Sequence, residues 1–193
     1  MANVNMAFGL KPVRYKTGAP YNGACNPYIV ASGDSTALAI GDPVVRSGTT
    51  LNGLPTIVRA TAGSTNQITG VVVGFEINPS IVANGYRLGS TEQVVLVADD
   101  PDLEFEIQED SDSNAVEITE MGLNANLVAG TLSTYSKKSG FMLDSTSAAA
   151  DATMQLRILG VPRRVDNEFP ANYAKLLVMI NIHTERPSAV AGI

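Results

Sequence analysis

Gly and Pro interrupt this chain at intervals of roughly 8–15 residues, and the segments between them favour Val, Ile and Thr. Segments that short rarely hold an amphipathic helix, whereas β-branched side chains suit a pleated strand. The pattern predicts an all-β sandwich or barrel, jelly-roll-like in outline. Strands are expected at Tyr28–Ala31, Pro43–Arg46, Thr56–Ala60, Ile68–Glu76, Val94–Ala98, Leu103–Gln108, Gly130–Ser136, Gly140–Leu143, Met154–Val161 and Ala174–His183. Leu103–Gln108 alternates cleanly, with Leu103, Phe105 and Ile107 on one face and Glu104, Glu106 and Gln108 on the other. One face is therefore expected in the core and one in water. Ile68–Phe75 and Leu176–Ile182 are more continuously apolar and read as central strands. Helix signals are few. Asn114 with Glu117 resembles a capping box, Gly122 suits the C′ position, and a turn is plausible at Ser147–Ala152.

The first 33 residues differ from the rest. They carry Lys11, Arg14 and Lys16 but no carboxylate until Asp34, and they are rich in Gly, Pro, Asn and Ala. Large apolar side chains are spaced along them at Phe8, Tyr15, Tyr21 and Tyr28, with neither the helical nor the strand period. A segment of this kind does not bury itself, so residues 1–33 read as an extended arm that orders against a partner. Residues 34–193 read as one all-β domain. Within the arm, Phe8, Lys11, Arg14, Tyr15 and Tyr21 are the expected contacts. Aromatic anchors would enter pockets and the cations would meet carboxylates.

The balance of charge excludes several functions. The chain has a net charge of −6 over 193 residues, which argues against a direct nucleic-acid binder that works by counterion release. Cys25 is the one cysteine, so no disulfide forms within the chain. No apolar run has the length of a signal-peptide core or of a membrane span, which leads to the expectation of a soluble protein made in a cytoplasm. His183, the single histidine, closes an apolar strand. A Ser-His-Asp or Cys-His centre would have to use it, yet no Gly-x-Ser-x-Gly elbow is present and Cys25 lies in the arm. Phosphate-binding glycine motifs are missing as well. Glu104 and Glu106 could in principle serve glycoside hydrolysis, but i, i+2 carboxylates on a strand are common and no Trp is available to stack on a sugar. The expectation is a protein that is not an enzyme and has no cofactor.

Ten carboxylates and no Lys or Arg lie between Asp99 and Glu120. Asp110, Asp112 and Asn114 match positions 1, 3 and 5 of a calcium loop, but Ala115 and Met121 stand where Gly and a bidentate Glu are needed, so an EF-hand is rejected. A looser Ca2+ or Mg2+ site at Asp99, Asp100 and Asp102, a solvated loop, and a patch that meets the basic arm of a neighbouring copy are the three readings of this stretch. No metal site is assigned. Arg163-Arg164, after Pro162, reads as a loop pair or an interface anchor.

Several motifs resemble those of one family. They are Met1-Ala2-Asn3, Phe8-Gly9-Leu10-Lys11-Pro12-Val13, Gly18-Ala19-Pro20-Tyr21-Asn22-Gly23-Ala24, Ile40-Gly41-Asp42-Pro43-Val44 and Gly70-Val71-Val72-Val73-Gly74. Later come Ile158-Leu159-Gly160, Asn167 and Val178-Met179-Ile180-Asn181-Ile182-His183. Together these resemble the structural cement, or head-decoration, proteins of tailed bacteriophages. The resemblance implies a small all-β protein on the capsid exterior of a virion. Its partners would be the major capsid protein and further copies of itself, as a dimer or trimer. A virion-surface carbohydrate- or receptor-binding β module is the alternative, and a hydrolase using Glu104 or His183 ranks last.

Overall fold

The computed structural model describes residues 3–77, 84–112, 114–186 and 189–192, so Met1 and Ala2 of the opening motif lie outside it. The fold is all-β, and helical structure among the described residues is limited to 3-10 turns. Among the described residues twelve strands are formed: β1 (Lys11–Tyr15), β2 (Asn26–Val30), β3 (Pro43–Leu51), β4 (Leu54–Arg59), β5 (Gly70–Phe75), β6 (Gln93–Ala98), β7 (Leu103–Gln108), β8 (Asn124–Ala125), β9 (Leu127–Val128), β10 (Met142–Leu143), β11 (Leu156–Gly160) and β12 (Lys175–Ile180). They form a closed barrel in the order β2-β4-β3-β5-β6, an open sheet in the order β1-β7-β12-β11-β8, and a small β9–β10 ribbon.

The barrel closes around Tyr28, Val30, Leu38, Val44, Ile57, Val72, Val95 and Val97. Its β3–β4 hairpin turns at Asn52-Gly53, both with positive φ (51° and 79°), which is the pattern of a two-residue type I′ turn. In the open sheet, antiparallel register stacks side chains of like character. Ile107 faces Leu176, Phe105 faces Val178, and Val178 faces Ile158. All five side chains are fully buried. This ladder packs on the barrel wall through Ala60, Ile68, Val71 and Ala98, so the larger core lies between the two sheets.

Arg87 ties the barrel's irregular segments together. It is completely buried and donates to the carbonyls of Ala31, Asp34, Thr36 and Thr91. A cation in that position is tolerated only because its guanidinium donors meet acceptors. Burial holds its pKa below the usual arginine range, with Asp34 acting in the opposite sense.

Three expectations are corrected. First, the described part of the expected 1–33 arm, residues 3–33, is not separate from the body. β1 pairs antiparallel with β7, β2 is a barrel strand, and Leu10 is 1% exposed inside the core between the sheets. Even Asn3 exchanges hydrogen bonds with the backbone of Glu168 and donates to Asn172. Leu10, Tyr28, Ile29 and Val30 are buried and Tyr15 and Tyr21 pack on the core, although Val4 and Met6 stay exposed. Second, the carboxylate face of β7 is not wet, since Glu104, Glu106 and Gln108 are all buried. Third, Gly130–Ser136 forms no strand. Gly130 and Gly140 sit so close that a Cβ on Gly130 would lie 2.0 Å from the Gly140 carbonyl oxygen, and the chain turns between them with Tyr135 pointing outward. The capping box also forms three residues later than expected. Glu117 and Glu120 cap each other's backbone around a 3-10 turn at Ile118–Glu120.

Deleting residues 2–24 removes β1 and Leu10, and is expected to unfold the protein or lower its melting temperature sharply. Leu10→Ala alone is expected to cost about 2–5 kcal/mol in urea unfolding. A deletion variant with unchanged melting behaviour would contradict the pairing of β1 with β7.

Candidate functional site

The N-terminal segment passes over the barrel at Gly9 and Gly41, where two backbones touch. Leu10 donates its N–H to the Gly41 carbonyl at 2.9 Å, and Gly41 in turn donates to Val72 at 2.8 Å. Both glycines have positive φ. A Cβ on Gly9 would lie 2.2 Å from the Gly41 oxygen, and one on Gly41 2.2 Å from the Phe8 oxygen. Only glycine permits this crossing. It creates a groove of about 330 Å3. Leu10, Pro12, Tyr21, Val72 and Val73 give the groove its apolar surface, Phe8 and Ile40 flank it, and Lys11 and Lys138 supply two cations. Among the described residues no carboxylate lines it. In a chain of net charge −6 this is a locally basic, apolar depression.

Three of the five expected contact residues, Phe8, Lys11 and Tyr21, therefore meet at one surface. The other two are placed differently. Arg14 Nε lies 2.6 Å from Glu104 Oε2 of the same chain. Tyr15 packs on the core and against Tyr21, with ring centroids 6.4 Å apart and planes tilted by 46°. Burial pushes the Tyr21 phenol up, helped by Cys25 and Tyr15 nearby.

Beyond Tyr15 lies a second depression of opposite charge, about 460 Å3, which Cys25, Arg46, Asp99, Asp100 and Glu185 share. Its polar side chains form a chain of bonds. Arg46 Nη1 reaches Glu185 at 2.8 Å, and Arg46 Nη2 donates to the Tyr28 hydroxyl at 3.0 Å. Tyr28 donates to Asp99 at 2.7 Å, and Asn26 donates to both oxygens of the same carboxylate. Burial raises the Tyr28 pKa, and the bond from Arg46 opposes that rise. The two depressions lie on either side of the Tyr15–Tyr21 pair.

The carboxylate-rich stretch does not form the looser site expected at Asp99, Asp100 and Asp102. Asp99 is used by Tyr28 and Asn26, Asp100 accepts from the Asp102 N–H, and Asp102 pairs with Arg186 at 3.2 Å. Instead, Asp110 and Asp112 meet Asp144, with one ligand oxygen of each within 4.8 Å of the others. Ser145 donates to Asp110 and Asp112, and Thr146 to Asp144. Three carboxylate oxygens match the preference of a hard divalent cation but fill at most half of a calcium shell. Sequence spacing marked Asp110 and Asp112, but nothing local in the sequence announces Asp144, which arrives from another segment.

The carboxylate candidates are paired within the chain. Glu104 pairs with Arg14, while Glu106 takes both Nη atoms of Arg164 at 2.6 and 2.9 Å. His183 is buried three residues beyond the end of β12; its Nδ1 accepts the Glu185 N–H at 3.0 Å, and among the described residues its buried Nε2 has no hydrogen-bond partner. Comparison with family models, with curated proteins and with solved structures finds no match to this chain.

Burial, followed by the nearby Arg186, lowers the His183 pKa below the ordinary value. The unfolded chain then binds a proton more readily than the folded one. The stability that neutral His183 confers is complete above about pH 6.5 and is lost as pH falls below it. His183→Asn keeps an acceptor for the Glu185 N–H and removes the titration, so the urea midpoint of the variant should fall less than that of the parent on acidification from neutral pH. Asp42 and Glu109, whose carboxyls burial pushes up, act in the opposite sense in both proteins and cancel in the comparison.

Proposed function

We propose that this chain is a capsid cement protein that binds the outer surface of a bacteriophage shell and bridges neighbouring major capsid subunits. The observation that carries the reading is the groove in which Phe8, Lys11 and Tyr21 meet Ile40, Val72, Val73 and Lys138. An apolar floor with two cations suits an extended partner segment that offers an aliphatic or aromatic side chain beside a carboxylate. Four of the quoted family-like motifs contribute to this surface: those at Phe8–Val13, Gly18–Ala24, Ile40–Val44 and Gly70–Gly74. Many weak, identical contacts are sufficient on a shell, because each bound copy engages subunits held at high effective concentration.

The edge of β1 supports docking by side chains more than by strand addition. Tyr21 N–H bonds the Val13 carbonyl and Pro20 bridges Arg14, so the turn after β1 covers its second half. Pro12, in the uncovered half, has no N–H to give. The carbohydrate- or receptor-binding alternative draws on the carboxylates Asp110, Asp112 and Asp144. A glycan array run with and without EDTA separates it from the cement reading.

Shells of the parent particle stripped of this protein provide the test, by co-sedimentation. Phe8→Ala, Lys11→Glu and Lys138→Glu are each expected to weaken occupancy by roughly tenfold or more, and added salt to weaken that of the parent protein. Arg14→Ala is expected to lower stability with little effect on occupancy, since Arg14 is engaged by Glu104. Undiminished occupancy in all three groove variants would remove the groove from the contact.

A further inference from the structure

Asn is followed by Gly at Asn22-Gly23, Asn52-Gly53 and Asn84-Gly85. Such a pair can lose ammonia without an enzyme. The Gly nitrogen adds to the Asn side-chain Cγ and closes a succinimide ring. Its proton passes through solvent to Nδ2, which leaves as ammonia. Water then opens the ring at either carbonyl, giving aspartate or isoaspartate. Glycine favours the step because no Cβ shields its nitrogen or restrains its peptide. The fold decides which pair reaches the ring, since closure holds the Asn ψ far from both the left-handed and the helical regions.

Two of the pairs are held away from that geometry. Asn52 opens the β3–β4 turn in the left-handed region, at φ 51°, and its Nδ2 donates to Glu92 at 2.9 Å. Turning the Asn52–Gly53 peptide would disturb the pairing of Leu51 with Leu54. Asn84 has 3-10 backbone, and a Cβ on Gly85 would lie 3.3 Å from Lys137 Cγ. Asn22-Gly23 has neither restraint. Both residues are exposed and lie outside any strand or 3-10 turn, and apart from its chain neighbours nothing stands within 4 Å of where a Gly23 Cβ would be. The Asn22 side chain is also set for the reaction, because its Oδ1 accepts the Ala24 N–H at 3.1 Å. That oxygen takes on negative charge as the Gly23 nitrogen adds to Cγ, so a donor already stands where the charge develops.

We propose that Asn22 is a spontaneous deamidation site of the folded protein, and that its conversion slackens the turn that holds Tyr21 in the wall of the groove. The Tyr21 N–H bonds the Val13 carbonyl at 3.0 Å, and the Tyr21 hydroxyl donates to the Ala24 carbonyl at 3.0 Å. Residues 22 and 23 lie inside the small loop that the hydroxyl bond closes. Isoaspartate lengthens the backbone within that loop, and either product places a new carboxylate next to Tyr21. The conversion runs one way, so it marks the age of each copy. Its effect on shell binding rests on the groove reading; the conversion itself does not, and it is measured without a shell.

The experiment incubates the folded full chain at mildly alkaline pH beside a urea-unfolded reference. Peptide mapping by mass spectrometry then quantifies aspartate and isoaspartate at each Asn-Gly pair. Asn22 should convert in the folded chain about as fast as in the reference, whereas Asn52 and Asn84 should convert at least roughly tenfold more slowly than in the reference, which requires only a small rise in barrier. Hydrogen exchange at Tyr21 and Ala24 should be faster in the converted protein. In Asn22→Gln, whose longer side chain closes a ring far more slowly, exchange there should stay constant through the same incubation. A folded chain that keeps Asn22 intact while the reference converts, or that converts Asn52 or Asn84 as readily as Asn22, would overturn the site. Equal exchange at Tyr21 before and after conversion would overturn the slackening of its turn.

Discussion

The fold depends on β7 being covered on both faces. Its apolar side faces the core, and its carboxylate side can be enclosed only if Glu104 and Glu106 keep partners when water leaves. Arg14 from β1 and Arg164 from the loop after β11 provide them. At the far end of the strand, Gln108 donates to Asn5 and accepts from the Met6 N–H. Both arginines stay partly in solvent, so the pairs add little attraction of their own. Their effect is permissive. They allow β1 and the loop to close over a strand whose outer face would otherwise resist burial, and that closure brings Leu10 into the core and sets Gly9 against Gly41.

The same interaction explains which parts of the fold are legible in the sequence. Alternation gives β7 with the bounds it has in the structure, because one of its faces meets a hydrophobic core and period two is a direct record of that. β12 is also legible as a central strand, and the topology places it in the middle of the open sheet. Alternation cannot tell that the glutamates are enclosed, since a carboxylate paired with an arginine ninety residues earlier and a solvated one read alike. β1 is hidden for a related reason. Pro12 and the shift of register between Pro12 and Arg14 erase its period, so composition alone suggests an arm. Gly130–Ser136 shows the converse error, where strand-like residues are drawn into a turn by the close approach of two glycine backbones.

At the candidate site the residue types were legible and the geometry was not. Phe8, Lys11 and Tyr21 stand out in sequence as anchors in a segment without period, yet the groove they line needs Ile40, Val72 and Lys138 from three other segments. Arg14 stands out equally and is engaged within the chain, because a cation in sequence carries no sign of whether its carboxylate is internal. Asp144 completes a carboxylate trio that local spacing could not announce.

An arm that orders only on binding loses conformational entropy at that moment, on the order of 1–2 kcal/mol for each residue fixed. Here that loss is already met by folding, since β1 and Leu10 are held by the chain's own sheet and core. A partner of the kind proposed would meet a preformed groove whose aromatic and cationic side chains start from a fixed backbone, and more of the contact energy would be kept as affinity. The cost is reach, because a groove embedded in the fold cannot extend to a distant subunit. On the proposed cement reading, bridging then comes from where the protein sits rather than from an arm that reaches.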